Sequence, residues 1–150
     1  MLGDAFRQFL RYLRYVHLAL QGVILAVFIL VAVNSFLITE YTVEGQSMAP
    51  TLSTGQHLLV NKTAFFNRMP VDGEVVIVSF SPHSQLTFVK RIVAVAGEEA
   101  TMSDGQRIML KAGELFVEGD NRSYSTDSRS YGPIMTSQLI GNVVWPILIN

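Results

Sequence analysis

A long uninterrupted run of apolar residues lies near the start of the chain. No Asp, Glu, Lys or Arg occurs from Tyr15 to Thr39, and the core of the run extends from Leu18 to Ile38. At 1.5 Å per residue, a helix over this core is roughly 32 Å long, close to the thickness of the hydrocarbon layer of a bilayer. A helix that is apolar on every face over this length is typical of a membrane span. The pattern predicts one transmembrane helix over residues 18–38.

A cleavable signal peptide is the alternative interpretation of this run. The apolar region of a signal peptide usually has about 7–15 residues and is followed by a small-x-small cleavage site. The run in this chain is longer, and it ends in Asn34-Ser35-Phe36-Leu37-Ile38. The sequence therefore favours an uncleaved anchor.

Residues 39–150 show a different pattern, that of short β-strands. Runs rich in Val, Ile, Phe and Thr are separated by turn signals, and one of these, Asp104-Gly105, is typical of a hairpin. No amphipathic pattern of helix length follows Ile38. We expect a mostly β fold, a compact β-sandwich or partly closed β-barrel. The predicted strands are 40–44, 57–61, 74–80, 87–96, 107–110, 115–118 and 141–145.

Charge is distributed unevenly about the apolar run. Arg7, Arg11 and Arg14 precede it against Asp4, a net charge of +2, whereas the rest of the chain has a net charge of -3. Positively charged flanks stay on the cytoplasmic side of a membrane. We therefore expect a cytoplasmic basic N-terminus (1–17), a transmembrane helix (18–38) and an extracytoplasmic β-rich domain (39–150). The total of -1 argues against a nucleic-acid partner.

Composition narrows the possible chemistry further. The chain has no cysteine, which excludes a disulfide scaffold, a thiol nucleophile and any zinc site with cysteine ligands. Its three histidines, His17, His57 and His83, are scattered and do not have the spacing of a zinc site. We expect His17 at the membrane edge and the other two at exposed positions. No metal or cofactor is expected.

Lys90 has an unusual place in the most apolar run outside the predicted membrane span. Alternation puts Phe88, Lys90, Ile92 and Ala94 on one face of a strand, although a lysine is seldom fully buried. One interpretation is a snorkelling or salt-bridged lysine at the edge of the sheet. The other is a desolvated amine with a lowered pKa, which can take a proton from a serine. Serine and lysine then form a nucleophile–base pair that needs no histidine.

Two polar segments are candidates to accompany this lysine. Ser47 lies in Gly45–Ala49, which resembles a G-x-S-x-G elbow but ends in Ala and lacks the helix that should follow. Taken alone, Ser47 is a structural serine before a turn. The stretch Gly119–Gly132 is typical of a solvated loop, but its hydroxyls and Asp–Arg pairs can also orient a buried amine.

Together these segments resemble bacterial type I signal peptidase, the membrane-bound serine protease that removes signal peptides from exported preproteins. The resemblance covers nearly the whole chain and begins with the N-terminal anchor. Any one of the motifs is weak, but four in the right order behind an anchor are specific. In chain order they are Ser47–Leu52, Lys90–Val93, Gly119–Arg122 with Ser125, Asp127, Ser128 and Arg129, and Gly141–Pro146.

The resemblance assigns roles to individual residues. Ser47 would be the acylated nucleophile, Lys90 the general base, and Ser125 the residue that orients the Lys90 amine. Two charged pairs would hold the surrounding structure in shape, Asp127 with Arg129 and Asp120 with Arg91.

The resemblance also implies a substrate pocket for the alanines of an Ala-x-Ala cleavage motif, with the substrate bound as an added strand. Its small apolar sites would be formed by Val43, Met48, Leu52, Phe88 and Val89. Many relatives have a serine where this chain has Gly45, although a shorter branch of the family also uses glycine. The oxyanion hole would then depend on backbone N–H groups, including that of Ser47. Ala94 and Ala96 replace the usual glycine and proline after the lysine motif.

The expected function is the cleavage of signal peptides after small residues at the outer surface of the plasma membrane, with preproteins and membrane lipid as partners. A mitochondrial-type inner-membrane peptidase has similar motifs. A catalytically inactive, membrane-anchored peptide-binding β module is an alternative of another class, as is a self-cleaving regulator, although the latter usually has a DNA-binding domain where this chain has its apolar run.

Phe65, Phe66 and Met69 form an apolar cluster that either enters the membrane interface or belongs to the core.

Overall fold

The structure is a computed structural model and describes residues 2–80 and 86–147. The chain divides into two units, Met1–Leu37 and Ile38–Asn150. His83 lies outside the described residues, so its expected exposure stays a prediction.

The first unit is a single helix, α1, from Leu2 to Leu37. Its segment Phe6–Val33 is long enough, and contains a stretch apolar enough, to cross a membrane. The helix begins well before residue 18, because nothing in the preceding segment stops it: arginine is a good helix former, and no proline occurs there. It ends one residue earlier than predicted, and Ile38 already belongs to the first strand.

The second unit is mostly β, as predicted. Its strands are β1 (Ile38–Thr42), β2 (His57–Asn61), β3 (Val75–Val78), β4 (Phe88–Ala94), β5 (Glu99–Thr101), β6 (Arg107–Met109), β7 (Glu114–Glu118), β8 (Ile134–Met135) and β9 (Leu139–Ile147). A four-residue helix, α2 (Ser128–Tyr131), and two short 3-10 helices complete it. The strands β5 and β8 lie outside the predicted strands, because β8 has only two residues and two of the three residues of β5, Glu99 and Ala100, are of types depleted in strands.

Seven strands form one antiparallel sheet in the order β1-β2-β9-β3-β4-β7-β8, and β5 pairs with β6 separately. The β5–β6 pair is a hairpin around Asp104-Gly105, which confirms the predicted turn. The large sheet does not close into a barrel, because β1 and β8 are left as edges. A curled sheet with an open edge leaves backbone groups of β1 available for pairing.

The interior of the sheet places the residues of interest. Along β4, alternate positions are buried, and Lys90, Ile92 and Ala94 are three of them. Phe88, which alternation assigned to the same buried face, is 41% exposed. It lies at the first position of the strand, before the pairing of β4 with β7 begins at Arg91.

Candidate active site

Lys90 is buried in the middle of the sheet, with 2% of its surface exposed. It lies on β4 opposite Val76 of β3, in line with the core residue Ile92. Its Nζ donates a hydrogen bond of 3.1 Å to the Oγ of Ser125. The amine is therefore held in one place by a neutral hydroxyl, and the sheet-edge position considered from the sequence is wrong.

Burial lowers the pKa of the Lys90 amine, because removing it from water penalises the ammonium form. The negative charge of Asp127 raises this pKa and the positive charge of Arg129 lowers it, and the net direction is downward. A larger fraction of neutral amine is then present near neutral pH than for an exposed lysine. A neutral amine is a base that can accept a proton.

Ser47 is half-buried in a turn whose two sides are fixed. The carbonyl of Gly45 accepts a 2.6 Å hydrogen bond from Thr54 Oγ1, and Met48 is anchored in the core with 1% exposure. Gly45 has a φ of +82°, in the left-handed region that favours glycine over any residue with a side chain. The replacement of a serine by Gly45 in this chain therefore suits the conformation of the turn.

Gly119 brings Ser47 and Ser125 to the same point. The carbonyl oxygen of Ser47 and the Oγ of Ser125 both lie within 3.0 Å of where a Cβ on Gly119 would be. The same Ser47 carbonyl accepts a 2.9 Å hydrogen bond from the N–H of Asn121. Lys90 is hydrogen-bonded to Ser125. The backbone of Ser47 and the buried amine are therefore both close to Ser125, and the missing side chain of Gly119 leaves the space for this approach. The sequence placed Gly119 in a motif but gave no sign of this close approach.

A fully buried carboxylate organises the stretch after Gly119. Asp127 accepts hydrogen bonds from the N–H of Gly119 at 2.9 Å and from the guanidinium of Arg129 at 2.9 and 3.0 Å. Burial would raise the pKa of this carboxyl, but the bonds from Arg129, Ser125 and Gly119 outweigh that effect and lower it. Arg129 Nη2 also donates to the carbonyls of Arg122 and Ser125. Of the two interpretations of Gly119–Gly132, the structure therefore agrees with the segment held by an Asp–Arg pair.

A second charged pair fixes the start of the same segment to β4. Arg91 Nε and Nη2 donate to the two carboxylate oxygens of Asp120 at 2.9 and 2.7 Å, and Arg91 Nη1 donates to the carbonyl of Gly73. This bidentate geometry is the strong form of an arginine–carboxylate contact. The hydrogen bond from Arg91 lowers the pKa of Asp120. Both pairs expected from the sequence are therefore formed.

An open groove of about 580 Å³ passes Ser47. On one side lie the end of β1 and the residues after it, and on the other side lies the start of β4. Of the residues expected in the substrate pocket, Val43, Gly45, Met48, Phe88 and Val89 line this groove. Leu52 does not. It is 5% exposed and belongs to the core cluster with Val43, Met48 and Leu58.

Other groove residues could not be found from the sequence, because they meet only when the sheet curls. They are Tyr41, Thr42, Glu44, Ile77, Leu86 and Thr87. Within residues 2–80 and 86–147, no cluster of three or more His, Asp or Glu side chains could hold a metal ion.

Comparison with known proteins identifies the family. Residues 15–111 and 100–148 match the family model described as signal peptidase, peptidase S26. The chain belongs to this family. It is 29% identical to signal peptidase I T of Bacillus subtilis over 81% of this chain and 79% of that protein. It is 30% identical to signal peptidase I V of the same species, over 81% of this chain and 92% of that protein.

A relative from another compartment is also similar. The mitochondrial ATP-independent inner membrane protease subunit 1b of Arabidopsis thaliana is 32% identical over 69% of this chain and 66% of that protein. Membership of the family makes this chain a serine endopeptidase of the signal peptidase type. With the apolar helix α1, it supports a membrane-anchored peptidase.

The burial of Lys90 makes a prediction about stability. Replacing it by Met, which is equally unbranched but uncharged, should stabilise the fold at pH 7 by about 1–4 kcal/mol, because the free-energy cost of desolvating or deprotonating the amine is removed. The pKa of Lys90 is lower in the folded state than in the unfolded state, so between the two pKa values the unfolded chain binds more protons at this residue. The contribution of Lys90 to the free energy of unfolding therefore rises with pH until it levels off near the unfolded pKa of about 10.4. The advantage of Lys90→Met should therefore shrink between pH 7 and pH 10, as measured by thermal unfolding.

Lys111→Met is the matched control, because Lys111 is exposed and its replacement removes no buried charge. A Lys90→Met protein that is less stable than the native protein at pH 7 would contradict the desolvation of the amine.

Proposed function

We propose that this protein is a membrane-anchored serine endopeptidase that cleaves signal peptides from exported preproteins after small residues. Ser47 is the nucleophile and Lys90 the general base. The observation that supports this most is the buried Lys90 amine, held by Ser125 next to the turn of Ser47. A module that only binds peptides needs no buried amine, and burying one costs stability.

The proposed chemistry uses the neutral form of the amine. Lys90 takes the proton from the Ser47 hydroxyl as Oγ attacks the carbonyl carbon of the scissile peptide bond. The resulting ammonium then gives that proton to the leaving amine, and an ester of Ser47 remains. Lys90 next takes a proton from water as the water oxygen attacks the ester carbonyl carbon. The Lys90 ammonium then returns that proton to Ser47 Oγ as the ester bond breaks, which releases the new carboxylic acid and restores the hydroxyl and the neutral amine. Gly45 has no hydroxyl that could stabilise the oxyanion. The oxyanion hole would therefore consist of backbone N–H groups, including that of Ser47.

The substrate would bind in the groove as an added strand. Val43 and Met48 are almost fully buried, so each offers only a small apolar area to the groove, which suits alanine side chains better than large ones. The open edge of β1 offers backbone groups for pairing with the substrate. Every second side chain of a strand points to the same face, which fits a motif with small residues two positions apart.

Location follows from the charge distribution. Arg7, Arg11 and Arg14 precede the uncharged part of α1 and keep the N-terminus in the cytoplasm. The β-rich unit then lies outside the plasma membrane. Anchoring confines enzyme and preprotein to one surface, where the effective concentration of each is raised. The mitochondrial relative is an inner membrane protease subunit, and that setting would apply if the chain came from an organelle.

The nucleophile and the base are tested by substitution. The full chain in detergent should cleave a preprotein with an Ala-x-Ala site, and Ser47→Ala and Lys90→Ala should each lower kcat by at least about 10³-fold, the order found for members of other catalytic constellations. Ser53→Ala and Lys111→Ala are matched controls at exposed positions and should keep their activity. Equal cleavage by the native protein and both dyad variants would show that the assignment of Ser47 and Lys90 is wrong. No cleavage by the native protein would favour the binding module.

An apolar surface between β2 and β3 supports contact with the membrane. Phe66, Met69 and Val71 are 79%, 67% and 54% exposed. Phe65 does not belong to this surface, because it packs against the core and lies under the Arg68 guanidinium, 5.0 Å from its centroid. A compact ordered segment that exposes three apolar side chains is typical of an interaction site.

The arginine next to these apolar side chains is already paired. Arg68 forms two hydrogen bonds with the carboxylate of Glu74, which also accepts from the N–H of Val71 and the side chain of Asn142. The single arginine of the segment is thus compensated, and the segment can approach the bilayer interface without leaving its charge unpaired. We propose that Phe66, Met69 and Val71 enter the interface.

Fluorescence tests this contact in the full chain. With Trp145, the only tryptophan, replaced by Phe, a single tryptophan introduced by Phe66→Trp should be blue-shifted and quenched by brominated lipids in vesicles, because it lies among acyl chains. The control is Met109→Trp in the same background, at a 59% exposed position on the β5–β6 hairpin. Equal quenching at the two positions would contradict the proposed contact.

A further inference from the structure

The groove beside Ser47 contains one acidic residue to which the proposed mechanism gives no role. Glu44 is exposed and lies between Val43 and Gly45 on the wall formed by the end of β1. The other described residues that line the groove are apolar or neutral. A single charge at the rim of an apolar site is well placed to select among ligands, because it attracts one sign of charge and repels the other.

The face on which Glu44 lies follows from the alternation of the chain. Tyr41 and Val43 turn toward the core, with Val43 3% exposed, whereas Thr42 and Glu44 are exposed. Neighbouring residues of an extended chain point to opposite faces. Glu44 is therefore on the outer face of the groove wall, opposite to the face that the small substrate side chains would enter.

The backbone of Glu44 is directed at the open edge. The N–H and C=O of Val43 are bonded to Gln56 and Gly55, on the side of β2, at 2.9 and 2.8 Å. In an extended chain, the backbone N–H and C=O of one residue point to one side of the strand and those of the next residue point to the opposite side. The N–H and C=O of Glu44 thus face away from β2, where β1 is the edge of the sheet. A substrate strand added there would pair with this residue.

The charge of Glu44 has no partner among the residues that the structure describes. Another acid on the same face, Glu40, is paired with His57 of β2. Among residues 2–80 and 86–147, no side chain forms an ion pair or hydrogen bond with the Glu44 carboxylate. The outer face of the edge therefore presents one carboxylate to whatever binds beside it.

We propose that Glu44 makes this peptidase prefer a basic residue between the two small residues of its cleavage site. In a strand whose first and third side chains enter the apolar groove, the middle side chain points to the opposite face, which is the face of Glu44. Opposite charges on adjacent strands attract each other, and like charges repel. This inference rests on the proposed function and adds a substrate class to it.

Three preproteins that differ at one position test the proposal. Their cleavage sites are Ala-Lys-Ala, Ala-Gln-Ala and Ala-Glu-Ala, and kcat/KM is measured with the full chain in detergent at low salt. The native protein should favour Lys over Gln by about 2- to 5-fold and disfavour Glu by a similar factor, the strength of a cross-strand charge pair. Glu44→Gln should remove both preferences, and Glu44→Lys should reverse them. Because each comparison is a ratio within one enzyme, a general loss of activity cancels.

Two controls distinguish a local charge contact from other causes. Glu99→Gln, on β5 outside the large sheet, removes the same charge and should leave the native preference intact. The preference should also fall toward unity in 1 M salt, because exposed charges are then screened. Equal cleavage of all three preproteins by the native protein, or a lysine preference that persists in Glu44→Gln, would overturn this inference and leave the peptidase function standing. Failure to cleave any of the three would overturn the proposed function, and this inference with it.

Discussion

The site is built around one buried amine. Lys90 is excluded from water on a strand whose neighbours are core residues, and a protonated amine in such a place is strongly disfavoured. The protein offers it a hydroxyl, Ser125 Oγ, and leaves the carboxylate of Asp127 engaged with an arginine. A direct partner such as Asp127 would hold the proton on the amine. The indirect arrangement leaves Lys90 able to lose it.

Much of the surrounding structure maintains that arrangement. Asp127 ties the N–H of Gly119 to Arg129, and Arg129 in turn holds the carbonyl of Ser125. Arg91, next to Lys90 on β4, ties the other end of the segment through Asp120. The absence of a side chain on Gly119 lets the turn of Ser47 lie against Ser125. Each of these contacts holds a backbone segment in place. Together they bring the turn that contains Ser47 and the strand that contains Lys90 to one edge of the groove.

Sequence reasoning succeeded where local pattern determines structure. The apolar run predicted α1, alternation along residues 88–94 put Lys90 on the face of Ile92 and Ala94, and Asp104-Gly105 predicted a hairpin. It failed at the first residue of the helix, because nothing between Leu2 and residue 18 stops helix formation, and at β5 and β8, which are short and contain few strand-forming residues. The exposure of Phe88 was also missed, since alternation gives a face but does not tell where a strand leaves the core.

The groove itself was only partly predictable. Val43, Met48, Phe88 and Val89 were expected there by resemblance, and Leu52 was placed there wrongly, because an apolar residue near a motif can equally face the core. Ile77 and Glu44 could not be assigned to it, because β1 and β4 are separated by three strands in the sheet and meet across the groove only through its curvature.

The pKa of Lys90 is the quantity on which this account depends most, and the chain allows it to be measured directly. The sequence has only three lysines, Lys62, Lys90 and Lys111, so a protein labelled with ¹³C at the lysine ε-carbon gives few signals, and Lys90→Met assigns the one of interest. The chemical shift is followed by NMR from pH 6 to pH 11 with the full chain in detergent micelles. The account predicts that Lys90 titrates well below the value of about 10.4 for a lysine in water. A midpoint at or above that value would contradict it.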